Sequence, residues 1–188
     1  NEHSFQEAKI DKALLAIGST ESHGAHLPFG CDTFVSYDVA LEVASRVDRA
    51  VVVPPLWYGM SLHYRHKPMC ISLTNDTLTR VIQDVIESLV HWKIKKILVI
   101  NGHDGNIPPI EAATRDMKVK YPDLSLAVLD AWWVTAGNLL PADTFEVWNG
   151  LGHGGEGETS IALAIFPHLC DLSRARGMIP DMDPNVKL

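Results

Sequence analysis

Lys96-Ile97-Leu98-Val99-Ile100-Asn101-Gly102-His103-Asp104-Gly105-Asn106-Ile107-Pro108-Pro109 passes from an apolar run, through a polar, glycine-punctuated loop, into two prolines. Five residues ending in β-branched Val99 and Ile100 read as a buried strand. The prolines suit the first turn of a helix, where the missing N–H costs nothing, so Pro108–Val119 is expected to be helical. Strand, loop and helix in immediate succession are the unit of an open α/β sheet. In such sheets the chemistry gathers in loops at the carboxyl ends of the strands, which is where His103 falls.

The same unit recurs on either side. Ala13–Ile17, Ala50–Val53 and Leu124–Leu129 read as further buried strands. Asp32–Val47 repeats apolar residues at Val35, Val39, Val43 and Val47, and Asp76–Trp92 at Leu78, Val81, Ile82, Val85, Ile86 and Leu89, so both read as helices covering a sheet. A last helix is expected to start at Glu156 or Glu158 and run to Phe166, ahead of Pro167. The alternation predicts an α/β domain with a mostly parallel sheet. The loops Gly18–Gly30, Asn101–Asn106 and Asp130–Trp133 should then converge on one edge. The long segment Leu56–Cys70, rich in Tyr, His, Arg and Trp, is the candidate for a lid or substrate-facing arm.

With 188 residues, 46% of them hydrophobic, a single domain over 1–188 is the expectation. A net charge of −7 without a Lys/Arg block gives no footprint for nucleic acid or an anionic membrane. Cys31, Cys70 and Cys170 lack CxxC spacing, which argues against a disulfide framework or a thiolate zinc site and fits a cytoplasmic protein. No signal peptide or membrane span is read. The chain does not begin with Met and closes on the Pro-rich Ile179–Pro184, so further native sequence is expected at both ends.

The chemistry concentrates in Gly18–Thr33, where Glu21, His23, His26 and Asp32 fall within twelve residues of a glycine-punctuated loop. Glu21 and His23 share a side of an extended segment by period two. Asp32 is placed both to start a helix and to bridge cations; capping alone would account for Asp32 but not for the other polar heads. Carboxylate with imidazole and no thiolate suits Zn²⁺, Mn²⁺ or Fe²⁺. His103 joins from the second loop. In His153-Gly154-Gly155-Glu156-Gly157-Glu158, Glu158 reads equally as a partner of the helix dipole, whereas Glu156, ringed by glycines beside a histidine, reads as a ligand or proton-transfer group. His63 and its neighbours face either substrate or water, and one of Trp132 and Trp133 should wall a pocket; His63 and Trp133 are the candidates for substrate contact.

These motifs together resemble the creatininase (creatinine amidohydrolase) family over nearly the whole chain. The resemblance is carried by Gly18–Pro28 with Asp32, Tyr58–Ser61 with His63, Asn101–Asn106, and His153–Ser160. It implies a three-layer α/β/α sandwich, a centre of two divalent metals with zinc first and manganese or iron as alternatives, hydrolysis of a non-peptide C–N bond in a small molecule, and a homo-oligomer, often a hexamer. By matching position, Glu21 and His103 would bind one metal and His23 the other, with Asp32 between them and His153 as acid/base. Creatinine-hydrolysing members take another glutamate from the loop after Asn-Gly-His, but Gly105 stands there in this chain, and Glu156 is expected to replace it. Met69-Cys70 stands where many relatives have Gly-Thr, which bears on substrate rather than reaction class.

The expected mechanism is attack by a metal-activated water on a polarised carbonyl, with His153 protonating the leaving nitrogen, Asp104 as a second proton carrier and His26 as donor to a ligand carboxylate. The family offers creatinine, formamidopyrimidine, peptide and inosose substrates, and Gly105 argues against creatinine. Arg65 with Lys67 is the one basic feature near the site that a phosphorylated substrate could use. The alternatives are a formamidopyrimidine-type deformylase and a metal-binding assembly protein without turnover, which would have no need of His153. A nucleotide-binding module is not supported, since no GxGxxG or GxxxxGK[ST] loop follows a strand.

Overall fold

A computed structural model describes residues 1–147, 150 and 152–177. The elements are α1 (Glu2–Glu7), β1 (Lys12–Ile17), α2 (Cys31–Ala44), β2 (Ala50–Val52), α3 (Asn75–His91), β3 (Lys96–Asn101), α4 (Ile107–Lys120), β4 (Ser125–Leu129), α5 (Trp132–Leu139) and α6 (Glu156–Ile165). The four strands form an all-parallel sheet in the order β2-β1-β3-β4. β1 and β3 sit at its centre, paired from Lys12 with Lys96 to Ile17 with Asn101.

Helices cover both faces, because β1 buries both of its side-chain rows. Ala13, Leu15 and Ile17 pack with Leu78, Ile82 and Ile86 of α3 and Ile110, Ala113 and Met117 of α4. Leu14 and Ala16 face the other way, onto Ala40 of α2, with Ile100. This is the three-layer arrangement, and its strands are continuous apolar runs because neither face meets water. On α3 the fully buried residues recur every four positions, Leu78, Ile82 and Ile86, and Thr74 caps the start by accepting from the Thr77 amide at 3.2 Å. α6 packs on α2 through Ala162, with Phe166 just past its end, against Cys31 and Val35 and against Leu27 of the preceding loop.

The helix expected to reach Val47 stops at Ala44. There the Ser45 hydroxyl donates to the Glu42 carbonyl at 2.8 Å, competing with the helical pattern. The short helices α1 and α5 were not legible as periodic patterns; α5 begins at the tryptophan pair and is only eight residues long. Among the described residues no helix is long and apolar enough to cross a membrane. The Pro-rich end, 179–184, lies outside the described residues.

Candidate metal centre

The loops after β1 and β3 meet at the carboxyl edge of the sheet. Buried Asn106 knits them together, donating to Gly18 O at 3.0 Å and accepting from the Met60 amide at 2.9 Å, which also fixes the long arm 56–70. Asn101 shapes its own loop, donating to His103 O at 2.8 Å and accepting from the His103 amide at 3.1 Å. A side chain at Gly102 would collide with the Asp32 carbonyl, so glycine is what lets the second loop close onto the start of α2.

Glu21 and His23 have 0% exposure, Asp32 5% and His103 6%. Burying that many ionisable groups is costly unless they are paired or hold a cation. His103 Nδ1 lies 3.3 Å from both Glu21 Oε1 and Asp32 Oδ2, His23 Nε2 lies 2.8 Å from Asp32 Oδ1 and 3.9 Å from Glu158 Oε2, and His153 Nδ1 lies 3.7 Å from Glu21 Oε1. Even so, Glu21 Oε1, His23 Nε2 and Asp32 Oδ2 are buried without a hydrogen-bond partner. The atoms converge without satisfying one another.

Tautomers explain the convergence. A carbonyl oxygen only accepts, so His103 Nε2, 3.1 Å from Met60 O, must carry its hydrogen and leave the Nδ1 lone pair facing the carboxylates. His23 Nδ1 is 3.3 Å from Glu21 O, which leaves Nε2 free. His153 Nε2 donates to Ser22 O, which leaves Nδ1 free. In their neutral forms the three imidazoles thus turn lone pairs toward a nest of carboxylate oxygens, as metal ligands do when their other nitrogen is held from behind. Without a cation the lone pair of His23 is instead available to a proton shared with Asp32.

The electrostatics carry the same demand for positive charge. Burial opposes a charge on His23, but Asp32 overrides it and pushes the imidazole up to about 10. Burial would raise Asp32, yet His23 and His103 hold it at about 2. Burial raises Glu21 and lifts Glu158 to about 7. His153 is pushed down to about 4 by burial and by His23, so it is neutral near pH 7.

Among the described residues, ligand atoms fall within reach of a common centre in three groups: Glu21, Asp32 and His103; His23, Asp32 and Glu158; and Glu21, His23 and His153. Glu21, His23 and Asp32 each belong to two groups, and Asp32 turns its two oxygens to different imidazoles, Oδ1 to His23 and Oδ2 to His103, as a bridging carboxylate would. Glu156 belongs to none. Its carboxylate is turned away and accepts from the Glu146 amide at 3.0 Å and the Val147 amide at 2.9 Å. The carboxylate from α6 that reaches the centre is Glu158, which also takes the Gly154 amide. Positions two apart on a helix differ by roughly 200°, so one of the pair had to face away, and the sequence does not say which.

Other expected residues are placed differently. His26 Nε2 pairs with Thr159 Oγ1 at 3.0 Å rather than with a ligand carboxylate, tying the first loop to α6. Asp104 is exposed on the rim, and its charge offsets only part of the lowering that burial and His103 impose on the His63 pKa. The His63 ring lies parallel to His103, centroids 5.5 Å apart, whereas Trp133 stands edge-on to Trp132 at 5.9 Å. It is Trp132 that touches the second loop, donating its indole N–H to Asn101 O at 2.9 Å. Sequence reasoning passed over Ser19, whose hydroxyl is bonded to Ser61 and lies 3.0 Å from Glu21 Oε2; it read Tyr64, beside His63 on the arm, as facing either substrate or water, and the ring stacks on His153. Hydroxyls flanking a ligand motif were the only available signal for Ser19.

The creatinine amidohydrolase family profile matches residues 1–186. Creatinine amidohydrolase of Pseudomonas putida is 31% identical over 175 residues, covering 86% of this chain and 66% of that protein. The mycofactocin precursor peptide peptidase of Mycolicibacterium smegmatis is 32% identical over 163 residues, covering 84% and 59%. The chain thus spans about three fifths to two thirds of these relatives' length. A creatininase crystal structure superposes with a TM-score of 0.80 at 30% identity, covering 100% of this chain and 76% of that one, and a manganese form and a Zn-Zn type mutant give the same score and identity.

Proposed function

The chain belongs to the creatininase (creatinine amidohydrolase) family, and on that premise we propose that it is a metal-dependent amidohydrolase cleaving a C–N bond, other than a peptide bond, in a small molecule. The observation that carries this reading is the set of buried, partnerless atoms Glu21 Oε1, His23 Nε2 and Asp32 Oδ2. Hydrogen bonding within the protein leaves them unsatisfied, and two divalent cations would satisfy them.

Glu21, Asp32 and His103 would hold one cation and His23, Asp32 and Glu158 the other, with Asp32 shared. Nitrogen and carboxylate donors without thiolate suit zinc or manganese, the metals named for the creatininase structures. When bound, such a pair polarises a carbonyl and acidifies a water. The protein's own part is proton handling and orientation. His153, neutral and with Nδ1 free, would accept the proton of the attacking water and return it to the leaving nitrogen. Met60 O, Glu21 O and Ser22 O hold the three imidazoles in the tautomers that this division of labour needs. His63 on the arm would contact substrate.

The test is plasma emission analysis of the purified protein, together with turnover of a panel containing creatinine, cyclic amides, formamides and short peptides in the presence of Zn²⁺ or Mn²⁺. The reading expects two metal equivalents and hydrolysis of a cyclic amide or formamide; a metal-free protein that hydrolyses nothing after reconstitution would overturn it. We further read the chain as one domain that acts as a homo-oligomer, which sedimentation of the metal-loaded protein would check.

A further inference from the structure

His153 sits on a loop flanked by Gly152, Gly154 and Gly155, of which Gly152 and Gly154 have positive φ, and its side chain keeps 28% exposure. Such a loop gives an imidazole little intrinsic orientation. A single hydrogen bond, Nε2 to Ser22 O, leaves the ring free to swing about that contact. Two rings restrict it. His23 lies 4.3 Å from His153, centroid to centroid, at 32°, and Tyr64 lies 4.2 Å away at 22°. His23 is fixed in the first loop. Tyr64 comes from the long arm, on the short 3-10 turn Leu62–Tyr64.

We propose that Tyr64 is a positioning residue, whose ring holds the His153 imidazole with Nδ1 turned toward the centre. This rests on His153 being the proton carrier. The arm does not need the Tyr64 side chain for its own shape. The Ser61 amide donates to Ser72 Oγ at 2.8 Å and Cys70 Sγ to Ser61 O at 3.2 Å. The Ile71 amide donates to Thr20 O at 3.0 Å and the Leu73 amide to Gly59 O at 2.8 Å, while Tyr64 joins through backbone bonds to Ser61 and Lys67. Among the described residues the phenol hydroxyl has no hydrogen bond, so the ring face is the part that acts. A planar group of phenylalanine shape should therefore replace it, and a small side chain should not.

Diethyl pyrocarbonate, which acylates imidazole nitrogens bearing a free lone pair, reads the stack without any substrate. In the zinc-loaded protein, mass-spectrometric mapping should show His153 acylated several-fold faster in Tyr64→Ala than in wild type, with Tyr64→Phe restoring the slow rate. Exposed His3 and His91 serve as internal references. On the amide turned over best in the panel, Tyr64→Ala should lower kcat by about 10- to 100-fold with KM nearly unchanged, as displacement of a catalytic group by about 1 Å does. Tyr64→Phe should recover most of that loss. Combined with His153→Ala, Tyr64→Ala should add little, because its effect runs through His153. Unchanged acylation of His153 in Tyr64→Ala, or full additivity in the double variant, would overturn the proposal. A His153→Ala protein with undiminished turnover would instead remove the reading of His153 on which it rests, while the acylation rates still report the stack.

Discussion

Glu21 Oε1 stands 3.3 Å from His103 Nδ1 with no hydrogen bond made by that oxygen, although both side chains are buried. The hydrogen of His103 is committed to Met60 O on the far side of the ring. In the neutral ring the Nδ1 lone pair then faces the carboxylates. Without a cation it draws a second proton, and against the effect of burial Asp32 and Glu21 raise the His103 pKa. A cation between the two atoms would take that proton's place and make two bonds.

The folded state should therefore be strongly metal-linked. A cation that binds only the folded chain stabilises it by about 4 kcal/mol at a thousandfold excess over Kd. In a chain of this size each kcal/mol moves Tm by roughly 2–4 °C, so chelation should lower Tm by about 10 °C. Differential scanning fluorimetry with and without EDTA measures this directly. A coincident pair of melting curves, for a protein shown by emission analysis to have lost its metal, would contradict the reading.

The pH dependence follows from His23 and Asp32. In the metal-free protein the His23 pKa is raised, so its contribution to stability is full below the ordinary imidazole range and is lost as pH rises toward about 10. Asp32 is depressed, and its contribution is present above the ordinary carboxylate range and is lost as pH falls toward about 2. The stabilisation contributed by His23 and Asp32 together should thus be greatest from about pH 4 to 6.5 and decline through alkaline pH. The metal-loaded protein should be spared the alkaline loss, since the cation takes the place of the proton on His23. Metal binding at pH 7.5 should accordingly release about one proton, read by titration calorimetry in buffers of different ionisation enthalpy. Buffer-independent heats would exclude His23 as a ligand that must deprotonate.

Glu156 and Glu158 separate cleanly by experiment. Glu158→Gln should lose about one metal equivalent by emission analysis and keep a normal fold. Glu156→Gln should keep its metal but destabilise by roughly 1–3 kcal/mol, because charge-assisted acceptance from the Glu146 and Val147 amides is weakened. The reverse pattern would restore Glu156 as the ligand.

This pair also marks where the sequence stops being legible. The strands and the helices α2, α3, α4 and α6 could be read because burial on two faces or one stripe leaves a period in the residues themselves. Glu21, His23, Asp32 and His103 could be singled out because parallel sheets bring the ends of their strands together. The choice between Glu156 and Glu158 depends on where α6 begins, and shifting that start by one residue rotates each side chain by about 100°. The partner of His26 and the stacking of Tyr64 depend on how irregular segments dock. The arm carrying Tyr64 is held through its own backbone amides and carbonyls, by backbone partners and by isolated side chains such as Ser72 and Asn106, and those leave no periodic pattern to read.

Ser19 should matter more than a buried serine ordinarily does. Its hydroxyl lies 3.0 Å from Glu21 Oε2 and is bonded to Ser61, so it holds the Glu21 carboxylate by the oxygen that does not face His103. Ser19→Ala should cost about 1 kcal/mol of stability, in the ordinary range for one hydrogen bond. It should also weaken metal binding by roughly 10- to 100-fold, the usual effect of removing a residue that orients a ligand. Competition with a chromogenic chelator measures the affinity, and an unchanged affinity would reduce Ser19 to packing.

Gly105 tests whether the centre could regain a carboxylate from the second loop, as the creatinine-hydrolysing relatives are expected to have. A Cβ at this position would collide with the Met60 carbonyl oxygen, and it would meet His103 Nε2 at 2.6 Å and His63 Cε1 at 3.0 Å. The first obstacle is backbone, fixed by the Met60 amide's bond to Asn106, and the second is the ring whose tautomer Met60 O sets. Neither can yield without moving His103. Gly105→Ala should thus destabilise by about 1–3 kcal/mol through overpacking and also weaken metal binding, since the strain falls on a proposed ligand. Gly105→Glu should do the same and more, and its carboxylate should not rescue the metal lost in Glu158→Gln. Recovery of two equivalents in the double variant would show instead that the arm can lift away from the second loop to admit a side chain there.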